Sequence, residues 1–143
     1  MAKTFYIADL HFGHKNGLFY DNRPFSDIEQ HDKTLIERWN SAVGAEDTVW
    51  VLGDFSWYPA SKTISILSQL NGTKRLIVGN HDNKLIKNKN VCALFAEIVD
   101  YKEIRLGSNN GVCCAITLFP ASITSYTDGI ICMVISTTTT TGM

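Results

Sequence analysis

Three short apolar runs in this chain each end in a polar cluster, and that repetition restricts the fold more than any other feature. Thr4-Phe5-Tyr6-Ile7-Ala8 leads into Asp9-Leu10-His11, and Thr48-Val49-Trp50-Val51-Leu52 leads into Gly53-Asp54. Arg75-Leu76-Ile77-Val78 leads into Gly79-Asn80-His81-Asp82. Each run reads as a buried strand whose C-terminal end opens onto a polar loop. Between the first two, Ser26-x-x-Glu29 fits a capping box that opens a helix. Ile28, Asp32, Leu35, Trp39 and Val43 then follow one face at spacings of three and four, with Asp32 as the exception and Gly44 as the stop. His31 lies in no motif and reads as a partly exposed helix residue. Ala60 to Leu70 reads as a second helix with Ile64, Leu67 and Leu70 on one face, closed by the Asn71-Gly72 turn. Ala96 to Leu106 reads as a strand entering a hairpin through Ser108-Asn109-Asn110-Gly111. Strands alternating with helices predict an α/β fold, and ligands in such folds gather beyond the carboxyl ends of the strands.

The 143 residues suit one domain, and 45% hydrophobic with 19% charged residues is ordinary for a globular chain. A net charge of -1 gives no electrostatic case for nucleic acid or an anionic membrane as a binding partner. The first residues, MAKTFYIADLHFGH, lack the apolar stretch of a secretory signal, and no segment nears the roughly 18 apolar residues of a membrane span. A cytoplasmic location is the expectation. Cys92, Cys113, Cys114 and Cys132 form no C-x-x-C pair, so free thiols are expected rather than a structural zinc site or disulfides.

Taken singly, each polar cluster has a plain structural explanation as a turn or a capped loop. Together they bring Asp, His, Asp, Asn and His to one edge of a sheet. That set of oxygen and imidazole donors suits Mn, Fe or Zn ions. Two such ions about 3.5–4 Å apart can clamp a phosphate and activate a water.

The set Asp9-Leu10-His11, Gly53-Asp54 and Gly79-Asn80-His81-Asp82 resembles the calcineurin-like metallophosphoesterase superfamily in order and in strand-end placement. Phe12-Gly13-His14, Arg23-Pro24-Phe25, Trp39-Asn40 and Leu70-Asn71-Gly72 look like a small bacterial or phage branch of it. The resemblance covers about residues 4 to 82. It implies a layered β-sheet sandwich flanked by helices, incomplete at the C-terminus, and two divalent metal ions with Mn favoured. On the resemblance, Asp9 and His11 hold the first metal, Asp54 bridges both, and Asn80 binds the second. His81 stabilises the phosphoryl group or protonates the leaving group, and the nucleophile is a metal-bound hydroxide. His14 is a candidate for lining the pocket or for hydrogen-bonding a metal ligand, and Arg23 for meeting a phosphate oxygen. The implied substrate is a small phosphomonoester or phosphodiester, with nucleic acid only as a substrate.

Composition breaks near residue 106. All thirteen Lys and Arg lie at or before Arg105, all four histidines at or before His81, and Asp128 is the only charged residue from Leu106 onward. The resemblance implies three further histidines in His-x-Pro-like and Gly-His-x-His segments, and no histidine follows His81. A one-base shift permits both segments. Ala115-Ile116-Thr117-Leu118 can read His-Tyr-Pro, and Met133-Val134-Ile135-Ser136-Thr137 can read Gly-His-Ile-His. The expected organisation is therefore a metallophosphoesterase-like portion over 1–111 and an atypical, frame-shifted tail over 112–143 that packs poorly. The alternative to an active hydrolase is a catalytically impaired, metal-binding relic.

Overall fold

The computed structural model describes residues 2–20, 22–106 and 111–116, and side-chain surroundings for 2–19 and 22–102. The chain is a mixed α/β fold. Strands β1 (Thr4–Ile7), β2 (Thr48–Leu52), β3 (Thr73–Ile77) and β4 (Glu97–Val99) form one parallel sheet in the order β1-β2-β3-β4. Helices α1 (Gly17–Tyr20) and α2 (Ile28–Ala42) connect β1 to β2, α3 (Ala60–Gln69) connects β2 to β3, and α4 (Lys89–Cys92) connects β3 to β4. In a strand order that never reverses, the right hand usual for parallel crossovers puts every crossover on the same side. Leu35, Trp39, Ile66, Leu67 and Val91 accordingly share one core cluster with Val49, Val51 and Leu76.

The other sheet face is also apolar. Trp50, Leu52, Ile77 and Ala8 form a second cluster there, with Tyr6 and Val99 against it. Burial on both faces is why these strands read as continuous apolar runs. The sequence expectation of a single strand from 96 to 106 needs correction, because the chain breaks at Asp100. β4 joins the parallel sheet, whereas β5 (Tyr101–Leu106) pairs antiparallel with β6 (Gly111–Ile116) in a separate two-stranded sheet. Lys102 at the start of that hairpin lies 5.5 Å from the Trp50 ring and donates to Glu97 at 2.9 Å. β5 and β6 pair as the predicted hairpin requires, while residues 107–110 between them lie outside the described residues. Of the 112–143 tail, where poor packing was expected, residues 112–116 pair with β5 as part of β6, and the rest lies outside the described residues.

Local details correct the helix expectations. The N-cap of α2 is Asp27 rather than Ser26, with Asp27 Oδ1 accepting from the Gln30 amide at 2.8 Å. Gln30 Oε1 in turn accepts from the Ser26 amide and hydroxyl. Glu29 takes no part in these bonds. The buried face of α2 includes both His31, 1% exposed, and Asp32, 7% exposed. His31 is thus a core residue and not a partly exposed one. On α3 the buried residues are Thr63, Ile66 and Leu67, while Ile64 sits at the margin. Lys74 of β3 donates to the Leu67 and Leu70 carbonyls, serving the C-terminal end of α3 in place of a helix residue. Trp39 Nε1 donates to the Asn71 carbonyl at 2.9 Å, and Asn40 exchanges hydrogen bonds with Gln69 and Asn71. These bonds tie α2 to the turn after α3. Cys92 is a free, half-buried thiol. Among the described residues, no helix is long and apolar enough to cross a membrane.

Candidate metal centre

The register aligns Thr4 with Thr48 and Thr48 with Thr73, so β1, β2 and β3 end at one edge of the sheet. The loops after β1 and β2 are then joined directly. The His11 amide donates to the Asp54 carbonyl at 3.1 Å, Phe12 to Phe55 at 3.0 Å, and Trp57 back to Phe12 at 2.8 Å. Phe12 and Phe55, both 0% exposed with ring centroids 5.3 Å apart, anchor this pair of loops in the core. Two fully buried rings resist displacement, so the polar residues between them inherit fixed positions.

Those residues are Asp9, His11 and Asp54. One ligand atom from each lies within 4.8 Å of the other two. His11 Nε2 stands 3.6 Å from Asp9 Oδ1 and 3.8 Å from Asp54 Oδ2. Donors about 2.0–2.2 Å from one tetrahedral ion stand roughly 3.4 Å apart, so the triad is near coordination spacing. All three residues have φ of 53°, in the left-handed region. Such backbone costs of order 1–3 kcal/mol for a non-glycine residue and persists where surrounding structure enforces it. The strain aims three side chains at one point.

Electrostatics point the same way. Burial works to lower the His11 pKa, but the facing Asp54 and Asp9 carboxylates outweigh it and leave it above the ordinary 6.5. Burial works to raise that of Asp54, yet His11 and the His81 amide hold it below the usual carboxylate value. Two carboxylates facing one imidazole thus favour a positive charge between them, the place a divalent cation can take.

The loop after β3 brings Asn80 and His81. The His81 amide donates to Asp54 Oδ1 at 3.0 Å. The Asn80 side-chain amide lies 3.2 Å from both Asp54 carboxylate oxygens. With its nitrogen turned to Asp54, Asn80 donates to that carboxylate and its oxygen accepts from His81 Nε2 at 3.1 Å. With its oxygen turned to Asp54, acceptor faces acceptor, an arrangement that needs a cation between them. The donor set therefore fits a divalent ion at Asp9, His11 and Asp54, and supplies two donors, Asp54 and Asn80, toward a second. Among the described residues, Asp9, His11 and Asp54 are the one group of three or more His, Cys, Asp or Glu side chains with ligand atoms this close.

Asp82, overlooked as a separate element in the sequence, holds this edge together. It is fully buried, and its carboxylate accepts from the amides of Asp54 at 2.9 Å, Phe55 at 2.9 Å and Gly79 at 2.7 Å. Burial raises its pKa, opposed by the three amide donors. Gly79 is required by space, since a Cβ there would stand 2.6 Å from Asp54 Oδ1.

His14 Nδ1 lies 3.3 Å from His11 Nδ1. With His11 Nε2 facing the carboxylates, its Nδ1–H donates to His14, a contact that fixes a ligand's tautomer and plane. Arg23 requires a correction. Instead of facing a phosphate, it is buried, and its guanidinium donates to the Asp9 carbonyl at 2.7 Å, the Leu10 carbonyl at 3.0 Å and His31 Nε2 at 2.6 Å. Because Arg23 can only donate, His31 Nε2 accepts, and its Nδ1 donates to Asp32 at 2.8 Å. Asp32 also accepts from Tyr58 and from the Gly13 amide. This chain braces the loop carrying Asp9 and His11 from beneath. Burial and then Asp32 push the Tyr58 pKa up. Its constituents are eight or more residues apart apart from the adjacent His31 and Asp32, so no local spacing announces it.

Trp57 is the other residue the sequence reading missed. Its ring stacks on His14 at 4.2 Å and 7°, and lies 4.5 Å from His11 and 4.9 Å from His81. It also borders a cleft of about 580 Å³ lined by Tyr58, Asn80, His81, Lys84 and Leu85.

No protein-family model matches the chain. The Gene 66 protein of Mycobacterium phage L5 is 45% identical over 85 residues, 57% of this chain and 41% of that protein. An uncharacterized protein of Methanocaldococcus jannaschii is 46% identical over 84 residues, 57% of this chain and 48% of that protein. A solved protein of unknown function from Aquifex aeolicus superposes with a TM-score of 0.59 at 31% identity, over 72% of this chain and 54% of that one. The chain spans about half the length of these relatives.

Proposed function

We propose that this chain is a metal-dependent hydrolase of phosphoester bonds, built on the layered calcineurin-like metallophosphoesterase plan. The observation that carries the reading is the convergence of Asp9, His11 and Asp54 within 4.8 Å, with the Asn80 amide 3.2 Å from the Asp54 carboxylate. The one-sided crossovers also favour it. They leave the Trp50 face of the parallel sheet for a second layer, to which the β5–β6 hairpin would contribute.

Asp9, His11 and Asp54 would hold one divalent ion, and Asp54 with Asn80 would contribute to a second. Bound ions supply Lewis acidity toward the phosphoryl oxygens and an activated water. Asp54 has two oxygens to share, one already oriented by the His81 amide. The His81 ring stands at the border of the cleft, where it can deliver a proton to the departing oxygen. The cleft has room for the organic part of a small ester, within the range of about 300–1,000 Å³ usual for such sites.

The test is hydrolysis of bis(p-nitrophenyl) phosphate and p-nitrophenyl phosphate by the full chain with Mn, Fe(II) or Zn, beside Asp54→Ala. Metal-stimulated turnover lost in the variant supports the reading. Equal turnover in both rejects the site. A second reading, metal binding without turnover, is favoured by the absence of any histidine after His81. The coding DNA over codons 105–143 distinguishes a shifted frame, in which one base restores Gly-His-x-His, from a tail encoded as it stands.

A further inference from the structure

Each of the three strand-end loops contributes a ring to one cluster. The loop after β1 brings His11 and His14, the loop after β3 brings His81, and the loop after β2 brings Trp57, three residues beyond Asp54. The indole lies within 4.9 Å, centroid to centroid, of all three imidazoles. Its own backbone is fixed by the bond from its amide to the Phe12 carbonyl. The contact with His14 is nearly parallel at 7°, so the indole sets the plane in which His14 Nδ1 meets His11 Nδ1. The tilted contacts at 45° and 39° brace the His11 and His81 rings.

We propose that Trp57 is the positioning residue of this centre: one indole sets the ring planes of the metal-facing His11, its hydrogen-bond partner His14 and the cleft-facing His81. The inference rests on the reading of His11 as a metal ligand. It assigns Trp57 no contact with metal or reacting atoms. Its action runs through imidazole orientation, the property on which a histidine ligand's affinity depends. An imidazole must direct one nitrogen lone pair at the ion, and a ring free to rotate samples that direction only part of the time. A flat aromatic neighbour restricts the rotation, and an aliphatic side chain of similar bulk does not.

The experiment uses the full chain and four variants: Trp57→Leu, Trp57→Phe, His14→Ala and the Trp57→Leu/His14→Ala double variant. Calorimetric Mn binding and the imidazole nitrogen signals of the metal-free protein are measured. Trp57→Leu is expected to weaken Mn binding by about 10–100-fold, the scale of outer partners of a ligand histidine, and to shift the His11 and His14 ring signals. Trp57→Phe recovers most of the affinity, because it restores a flat face against His14. The double variant binds no worse than the weaker single, because both lesions free the same His11 ring. Wild-type affinity in Trp57→Leu, or losses that add in full, overturns the proposal. Should Trp57→Leu unfold, nuclear Overhauser contacts in the wild-type chain from the indole to all three imidazoles decide it, and their absence overturns it. The failure of the hydrolase reading looks different. A chain that binds Mn without turnover leaves the affinity test intact, and a chain that binds no Mn still reports ring orientation in the metal-free signals.

Discussion

The helical face and the carboxyl edge of the same parallel sheet are built by opposite rules. On the helical face, local preference and packing agree: Leu35, Trp39, Ile66 and Leu67 meet Val49, Val51 and Leu76. At the carboxyl edge, Asp9, His11 and Asp54 all hold φ of 53°, a carboxylate is fully buried at Asp82, and imidazoles crowd around one indole. A sequence that obeys local preference in one place and violates it in another is marking where function is placed. The edge tolerates its strain because Phe12 and Phe55 root it in the well-packed side.

Substitutions should separate the two regions. The largest effect is expected from Phe55→Ala. Removing a fully buried ring costs about 3–5 kcal/mol, enough to unfold much of the chain and the site with it, as thermal or urea denaturation would report. Asp82→Asn sharpens the contrast. The amide has one acceptor oxygen for three backbone donors, so a loss of about 2–3 kcal/mol is expected by urea denaturation, together with weaker Mn binding. If Asp82→Asn lowers stability and leaves Mn affinity untouched, the edge is not one unit.

Acid should act on the metal site through His11. The metal-free His11 pKa lies above 6.5, so its proton adds stability below about 6.5, and that contribution is lost as pH rises through the raised value. A cation must displace the same proton. Mn affinity should therefore fall by up to about tenfold per pH unit below the raised value and level off above it, with protons released on binding. An affinity independent of pH in that range would remove His11 from the ligand set. The smallest effect is expected from Asp9→Gly. Relief of left-handed backbone should make the metal-free chain about 0.5–1 kcal/mol more stable while Mn binding weakens, the opposite signs that a strained ligand requires.

These contrasts also explain what could be read from residues alone. The strands were legible because burial on both faces gives unbroken apolar runs, and Asp9, His11, Asp54 and Asn80 were legible because they follow those runs immediately. Arg23 was misread as phosphate-facing and His31 as partly exposed because the partners that bury them, the Asp9 and Leu10 carbonyls and Asp32, come together only when α2 docks under the loop. Trp57 was missed because a tryptophan in a loop carries no spacing signal, and its role arises from rings on two other loops. The break at Asp100 was missed because charged and apolar residues are mixed throughout 97–106 with no Gly or Pro to mark it, yet β4 and β5 belong to different sheets.

The central claim is spatial: four side chains from three loops converge where they would hold a pair of cations, Asp9, His11 and Asp54 the first and Asp54 with Asn80 the second. Mn is paramagnetic and broadens nuclear signals steeply with proximity, so a substoichiometric Mn titration followed by amide and imidazole NMR reads it directly. The account expects selective loss of signals around Asp9, His11, Asp54 and Asn80, abolished in Asp54→Ala. Broadening centred instead on exposed acids of α2 such as Glu29 and Glu37, or unchanged in Asp54→Ala, would contradict it.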